Sequence, residues 1–436
     1  MENAHNEKTT TIKVNYLARV EGEGNMYIDI EKGQLKSLNF GIHEPPRFFE
    51  AFLRGRKFSE APDITSRICG ICPIAYQMSS VHAMENALEV KITPWIRKMR
   101  RFLYCGEHIQ SHILHAYLLH APDFLGYESS IHMAKDHPQE VEHGLQLKKI
   151  GNEIMEMIGG RAVHPINVKV GGFYSAPSKK AMRDMVPMLD RACDMARAAT
   201  KWVATLPFPE FERQYTYVSL HHPDEYAFNE GQIVSNKGLD ITPAQFNATF
   251  EEIHVEHSNA LHCRFRETGA CYYNGPLARF ANNFDQLSQG TRDLAREVGL
   301  DRIVSNPFKS ILVRCLESFE YCKEALQIAR DYEEPDSPSV PVHPQAGEGH
   351  AWTEAPRGGL YHHYVLDDEG NIIKAQLTIP TSQNQAMIED DLRALVPQYI
   401  DLPDDQLQWK CEQAIRNYDP CISCATHFLN LHVKRS

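Results

Sequence analysis

Between residues 11 and 42 apolar and polar positions alternate, as in NMYIDIEKGQLKSLNFGI, with a glycine turn at Lys32-Gly33. A period of two broken by a turn signal predicts a β-hairpin or meander. From about Pro46 the period lengthens. RFFEAFLRGR reads as a short helix, and YQMSSVHAMENALEV as another with Met78, Val81, Met84 and Leu88 on one stripe. A long helix is expected from Trp95 to His120, ended by Pro122, and another over EVEHGLQLKKIGNEIMEMIGG, stopping at Gly159-Gly160. SKKAMRDMVPMLDRACDMARAATKWVATL predicts a further long helix, kinked at Pro187. Residues 210–275 are mixed and strand-rich in part, and FDQLSQGTRDLAREVGL and SILVRCLESFEYCKEALQIARDYEE are helical again. EEPDSPSVPVHPQAGEGH reads as an irregular loop, GLYHHYVLDDEGNIIKAQLTIP as a hairpin turning at Asp367-Gly370, and DDQLQWKCEQAIRNY as a last helix ending at Asp419-Pro420.

These elements predict an α+β, mainly α, fold with a long-helix core and small β regions near both ends. With no internal repeat and no low-complexity linker, the expectation is one integrated body. It comprises an N-terminal β region (1–45), a mainly helical core (46–340) and a closing β/loop/helix region (341–427). At 436 residues the chain can bury a substantial core. A net charge of −12 argues against a general nucleic-acid binder, which needs a basic face. No stretch approaches the roughly 18 to 20 apolar residues of a membrane helix, and the polar N-terminus lacks a signal-peptide core, so a cytoplasmic location without membrane insertion is expected. Eleven cysteines, an odd number, argue against a full disulfide framework. Seven are scattered singly, as small buried hydrophobes are.

The other four form two C-x-x-C pairs, Cys69/Cys72 and Cys421/Cys424, about 350 residues apart. Two such pairs can surround one metal, because each lets both sulfurs turn to a common point. A zinc ribbon joins its pairs over roughly 15 to 20 residues and uses a Gly-rich knuckle, neither of which holds here. Spacing alone leaves three readings open: structural zinc, two unrelated pairs, or a functional centre of a soft metal such as nickel, copper or iron–sulfur.

SRICGICPIAYQMSSVHAMENAL and DPCISCATH resemble the two cysteine motifs of the large subunit of NiFe-hydrogenases. ARVEGEGNM, GGRAVHPINVKVGG, EAPRGGLYHH and LTIPTSQN resemble further motifs of that family in the same order, over essentially the full length. The resemblance implies a nickel held by four thiolates, Cys69 and Cys421 terminal and Cys72 and Cys424 bridging to an iron that carries carbon monoxide and cyanide. It implies heterolytic cleavage of dihydrogen, with Cys421 taking the proton and Glu21 relaying it. Arg357 and Asp419 match a charged canopy over the metals, and Pro380 and Thr381 match the lining of the cyanide pocket. Glu50, the carbonyl of Leu377 and His427 match the ligands of a buried magnesium. A histidine is atypical for that ion.

Two positions depart from the commoner pattern. Tyr76 stands where many members have histidine, and Ser111 where the long helix carries a canopy aspartate. These departures most resemble the cytosolic, bidirectional NAD(P)-linked hydrogenases of sulfhydrogenase type. His108, His112 and His115 recur at helical spacing, which can bind zinc, but packing beside the metal centre is the expected role, as it is for His362-His363. The chain has no second iron–sulfur cysteine set and no Gly-x-Gly-x-x-Gly fingerprint. The resemblance therefore implies several partners: one small iron–sulfur subunit, one flavin-containing diaphorase with further iron–sulfur subunits, and maturation proteins. Among these is an endopeptidase that would cut after His427 and remove residues 428–436. Competing readings are a non-hydrogenase relative, whose four cysteines would be missing, and a structural-zinc subunit of a redox complex.

Overall fold

The computed structural model describes residues 8–44 and 48–426. Strands β1 (Thr10–Val14), β2 (Gly24–Glu31) and β3 (Gln34–Ile42) form an antiparallel meander whose inward positions Ile12, Val14, Met26, Ile28, Ile30 and Phe40 are buried. The β2–β3 turn places Lys32 and Gly33 at φ of 52° and 72°, the doubly left-handed geometry of tight hairpins.

Helix α1 (Pro73–Ala87) carries the expected stripe of Met78, Val81 and Met84. It is buried over most of its circumference, however, because it lies beneath a sheet as well as beside helices. Two of its polar residues have internal partners: Gln77 donates to the Pro165 carbonyl (2.7 Å), and Glu85 forms a paired salt bridge with Arg100 (2.6 Å).

Helix α2 (Pro94–Ile113) begins under a Thr93 cap and does not end at Pro122. It runs on through a π-helical stretch, Leu114–His120, and a last turn, Ala121–Leu125, stopping at left-handed Gly126. Pro122 sits at the start of that turn, where a missing N–H costs nothing. The π stretch is the kind of interruption that marks functional sites. Helices α3 (Pro138–Gly159) and α4 (Lys179–Val203, with Pro187 inside it) and α5 (Ser310–Arg330) complete the bundle. α2 packs on α3 and α5, and α5 on α4.

Residues 210–275 form a four-stranded sheet of short strands and a hairpin, β4 (Phe250–Val255) with β5 (Ser258–Phe265). The predicted loop over 333–350 gives way at Gly347 to a strand, β6 (Gly347–Ala355). It pairs with β7 (Gly358–Leu366), which pairs in turn with β8 (Ile372–Thr378). Glycines at the start of β6 disguise it in sequence. Pro380 opens helix α6 (Pro380–Leu395), also unforeseen, whose first turn is too polar to show apolar periodicity. Helix α7 (Asp404–Arg416) leads to the last described turn, Ile422–Ala425. One apolar cluster runs from Ile12 to Ala425 through the bundle, with a smaller one under β6 and β7.

Candidate metal centre

Cys69 follows a helical turn, Ser66–Ile68, and Cys72 immediately precedes α1. Cys69 Sγ accepts the N–H groups of Ile71 and Cys72, both at 3.3 Å, which curls the loop so that both sulfurs face inward. Glu107 on α2 sets this loop: its carboxylate accepts the N–H groups of Ile74 (2.5 Å) and Ala75 (3.0 Å) at the start of α1. Burial pushes its carboxyl well above the ordinary range, against the pull of those two donors.

The second pair arrives from the other end of the chain. Cys421 N donates to Thr381 Oγ1 (2.9 Å), placing the cysteine against the start of α6. The four sulfurs lie within 4.8 Å of one another, with Cys69–Cys421 at 3.6 Å and Cys421–Cys424 at 2.6 Å. That last spacing is well beyond a disulfide bond of about 2.05 Å, and all eleven cysteines are free. All four are buried. Hydrogen bonds from Cys421, Cys424 and Cys72 hold the Cys69 thiol well below its usual range, while burial pushes Cys424 well above it. A soft cation would replace those shared protons, since thiolates are the ligating form.

Glu21 lies at the edge of the cluster, its Oε2 3.2 Å from Cys421 Sγ and accepting from Ser423 N at 3.1 Å. Its carbonyl accepts from Ile422 N (2.8 Å), so the two segments pair as a parallel bridge. Gly22 permits this approach. It has φ of 88°, and a Cβ there would sit 2.7 Å from Ser423 N. Ser423 Oγ donates to Glu44 Oε1 (2.9 Å), extending the polar line away from the sulfurs.

Arg357, at the β6–β7 turn, pairs with Asp419 (Nε to Oδ2, 3.1 Å), whose other basic neighbour is Arg314 at 3.8 Å. Burial raises the Asp419 carboxyl while Arg357 and Arg314 pull it down, and its backbone is held at φ of 50°. Arg357 is buried, and neither Nη has a hydrogen-bond partner. Buried donors left unmet cost about 1–3 kcal/mol each. The four thiols and the unmet guanidinium therefore fit a bound group with soft-metal character and acceptor atoms on its Arg357 side.

Glu50 meets Leu377, accepting its N–H at 2.8 Å, and both line a cavity of about 440 Å³ that also reaches His254 and Cys424. His427 lies outside the described residues. Pro380 is the first residue of α6 and Thr381 the second. His108, His112 and His115 take separate partners: the Glu354 carbonyl (2.9 Å), the Glu317 carboxylate (2.9 Å) and the Arg416 carbonyl (2.7 Å). Tyr76 packs 6.0 Å from the His362 ring, and Ser111 Oγ is buried without a partner.

Sequence reasoning missed Asp123, Arg19 and Arg416. Asp123, on the turn after the π stretch, pairs with Arg416 (2.9 Å) and with Arg19, which also donates to the Leu119 carbonyl (3.0 Å). Arg416 reaches the Ala18 carbonyl as well (2.8 Å). This triad, with Asp123 and Arg416 buried and Arg19 partly so, ties the segment before Glu21 to the segment before Cys421. Arg19 adjoins Val20-Glu21 in the motif, which is the one sequence signal it carried.

Four convergent buried thiols from both ends of one chain, with a carboxylate and a buried guanidinium beside them, form a site for a soft metal that does not have the layout of a zinc ribbon. The family model for nickel-dependent hydrogenases matches residues 47–145 and 285–427. The chain is 32% identical over 425 residues to the alpha subunit of sulfhydrogenase 1 from Pyrococcus furiosus, covering 96% of this chain and 98% of that protein. It is 28% identical to the corresponding polypeptide of the F420-non-reducing hydrogenase from Methanothermobacter marburgensis, covering 96% and 95%. Its fold matches an NAD+-reducing [NiFe]-hydrogenase with a TM-score of 0.89 at 24% identity, over 96% of this chain and 100% of the other. A [NiFeSe] hydrogenase from Desulfovibrio vulgaris Hildenborough matches at 0.78 and 21%, over 96% and 100%. The chain belongs to the nickel-dependent hydrogenase family, as a large subunit of the NiFe type, the catalytic subunit of an oxidoreductase acting on dihydrogen. No helix among the described residues is long and apolar enough to cross a membrane.

Proposed function

We propose that the chain is the catalytic subunit of a cytoplasmic, bidirectional hydrogenase that passes electrons through a partner iron–sulfur subunit toward NADP or NAD. The kinship with sulfhydrogenase alpha subunits supports this reading. So does 24% identity, over 95% of this chain, to the beta subunit of the NAD-reducing hydrogenase HoxS from Cupriavidus necator. One small iron–sulfur subunit, one diaphorase and maturation proteins complete the proposed assembly.

Cys69, Cys72, Cys421 and Cys424 would hold nickel, with Cys72 and Cys424 also holding an iron that carries carbon monoxide and cyanide. When bound, that centre would supply the polarising site for heterolytic cleavage of dihydrogen. The protein's own work is proton handling and charge placement. Cys421 Sγ receives the proton, and Glu21, 3.2 Å away, takes it on. Ser423 and Glu44 continue the polar line outward. Arg357 contributes fixed positive charge without titrating, and Asp419 restrains it. Thr381 Oγ1 holds Cys421 N, while Pro380 opens the helix whose positive end suits an anionic ligand. Glu50, the Leu377 carbonyl and His427 would hold magnesium, a reading supported by the approach of Glu50 to Leu377.

The observation that carries the proposal is the Glu21 carboxylate against a thiol of a buried four-thiol cluster. Dihydrogen uptake by the purified complex, with NADP, NAD and an artificial dye offered in turn, tests the partner reading. Dye reduction without reduction of either nicotinamide would refute it.

A further inference from the structure

His362 and His363 are neighbours in β7 and so face opposite sides of the sheet. His362 turns inward, 2.9 Å from the Tyr364 hydroxyl and beside Tyr76. His363 is on the other face, also buried, and directly opposite His350 on β6. Their rings stack 4.2 Å apart at 14°, and both Nε2 atoms point at one carboxylate oxygen, Glu348 Oε1, at 2.7 Å from His363 and 3.4 Å from His350. The three ligand atoms lie within 4.8 Å of one another.

We propose that Glu348, His350 and His363 form a zinc site distinct from the thiolate centre. Two imidazoles and a carboxylate are a donor set that zinc takes in three-ligand sites, with the fourth position left to water. His350 Nδ1 lies 2.8 Å from the Tyr361 hydroxyl, which orients the ring; with the ring proton on Nδ1 and the hydroxyl accepting it, Nε2 keeps its lone pair, the arrangement found behind metal-bound histidines. Zinc replaces the hydrogen bond between His363 Nε2 and Glu348, and that ring carries its proton on Nδ1 instead.

The strand bearing Glu348 and His350 is rigidly seated. Gly349 between them presses on α1, where a Cβ would fall 1.9 Å from the Ala83 carbonyl. An entry route exists, since the Glu348 side chain is 58% exposed while His363 is 4% exposed. Glu348 and His350 also border a cavity of about 400 Å³. A second group, His257, His262 and Glu389, carries less, because Glu389 is already engaged by Arg393 (2.9 Å) and by Phe40 N (3.1 Å).

The test is zinc titration of the purified complex after dialysis against a chelator, read with a competing zinc indicator and by metal analysis. The expected result is one zinc per large subunit in addition to nickel. His350→Ala with His363→Ala should abolish it with nickel content unchanged. The exposed substitution Glu348→Gln, which poses no folding risk, should weaken binding tenfold or more. Tyr361→Phe should weaken it about 10- to 100-fold through the lost brace. Failure of the wild-type complex to bind zinc, or wild-type affinity in Glu348→Gln, would overturn the proposal.

Discussion

Replacing Glu21 by glutamine isolates proton transfer from structure. The carboxylate makes two contacts at the cluster, with Cys421 Sγ at 3.2 Å and with Ser423 N at 3.1 Å. A glutamine oxygen can accept both, so the segment that pairs with Ile422 N is retained and the stability change should stay within about 1 kcal/mol. What the amide cannot do is take up a proton and release it. A positioned acid–base group contributes roughly 10²–10⁴-fold, or about 3–5 kcal/mol of barrier. Glu21→Gln should therefore lower dihydrogen-dependent dye reduction by at least about 100-fold. Nickel and iron content and the infrared bands of the iron ligands should not change. Exchange of deuterium gas with water protons should fall in parallel, because it needs the same proton exit. A variant within tenfold of wild type in both assays would refute the relay.

Asp123→Ala removes the anion that Arg19 and Arg416 share but leaves Arg416 its Glu412 partner (2.7 Å), so the loss should fall below the about 3–5 kcal/mol of a fully unpaired buried charge. A thermal unfolding midpoint unchanged from wild type would show that the triad does not hold the two segments. Arg357→Lys keeps the charge but loses the planar fork, and should reduce turnover about 100-fold or more at full metal content; wild-type turnover would remove Arg357 from the site. Burial holds His112 at about 4 and His362 at about 3, so both stay neutral in the fold but charge at their ordinary values when unfolded. Their stabilising contribution is complete above pH 6.5 and is lost as pH falls toward 4 and 3, about 1.4 kcal/mol for each by pH 5.5. Unfolding midpoints measured from pH 7 to 5 should fall accordingly, with a shallower slope in His362→Gln, and a flat profile would contradict the assignment. Intact mass of active enzyme should end at His427, and retention of Phe428 to Ser436 would exclude C-terminal processing.

Much of this arrangement could be read from sequence, for reasons that differ between elements. The N-terminal meander was legible because its alternation matches one buried face. The two cysteine pairs were legible because C-x-x-C spacing is itself a local geometry. Helix α1 was found but its burial was underestimated, since a stripe reports one neighbour and this helix has several. The continuation of α2 past Pro122 was hidden because proline reads as a stop, whereas here it begins a new turn after the π stretch. Strand β6 and helix α6 were missed because Gly347 and Gly349 weaken β propensity and PTSQNQ carries no apolar period, yet both are fixed by tertiary contact. The Arg19–Asp123–Arg416 triad joins residues about 100 and 300 positions apart. No local pattern encodes such a pairing.

The most direct test of the account is metal analysis of the purified complex combined with infrared spectroscopy. One nickel and one iron per large subunit, with bands from metal-bound carbon monoxide and cyanide that vanish in Cys72→Ser and Cys424→Ser, is the predicted result. Zinc in place of nickel, with no such bands in active wild-type protein, would contradict it.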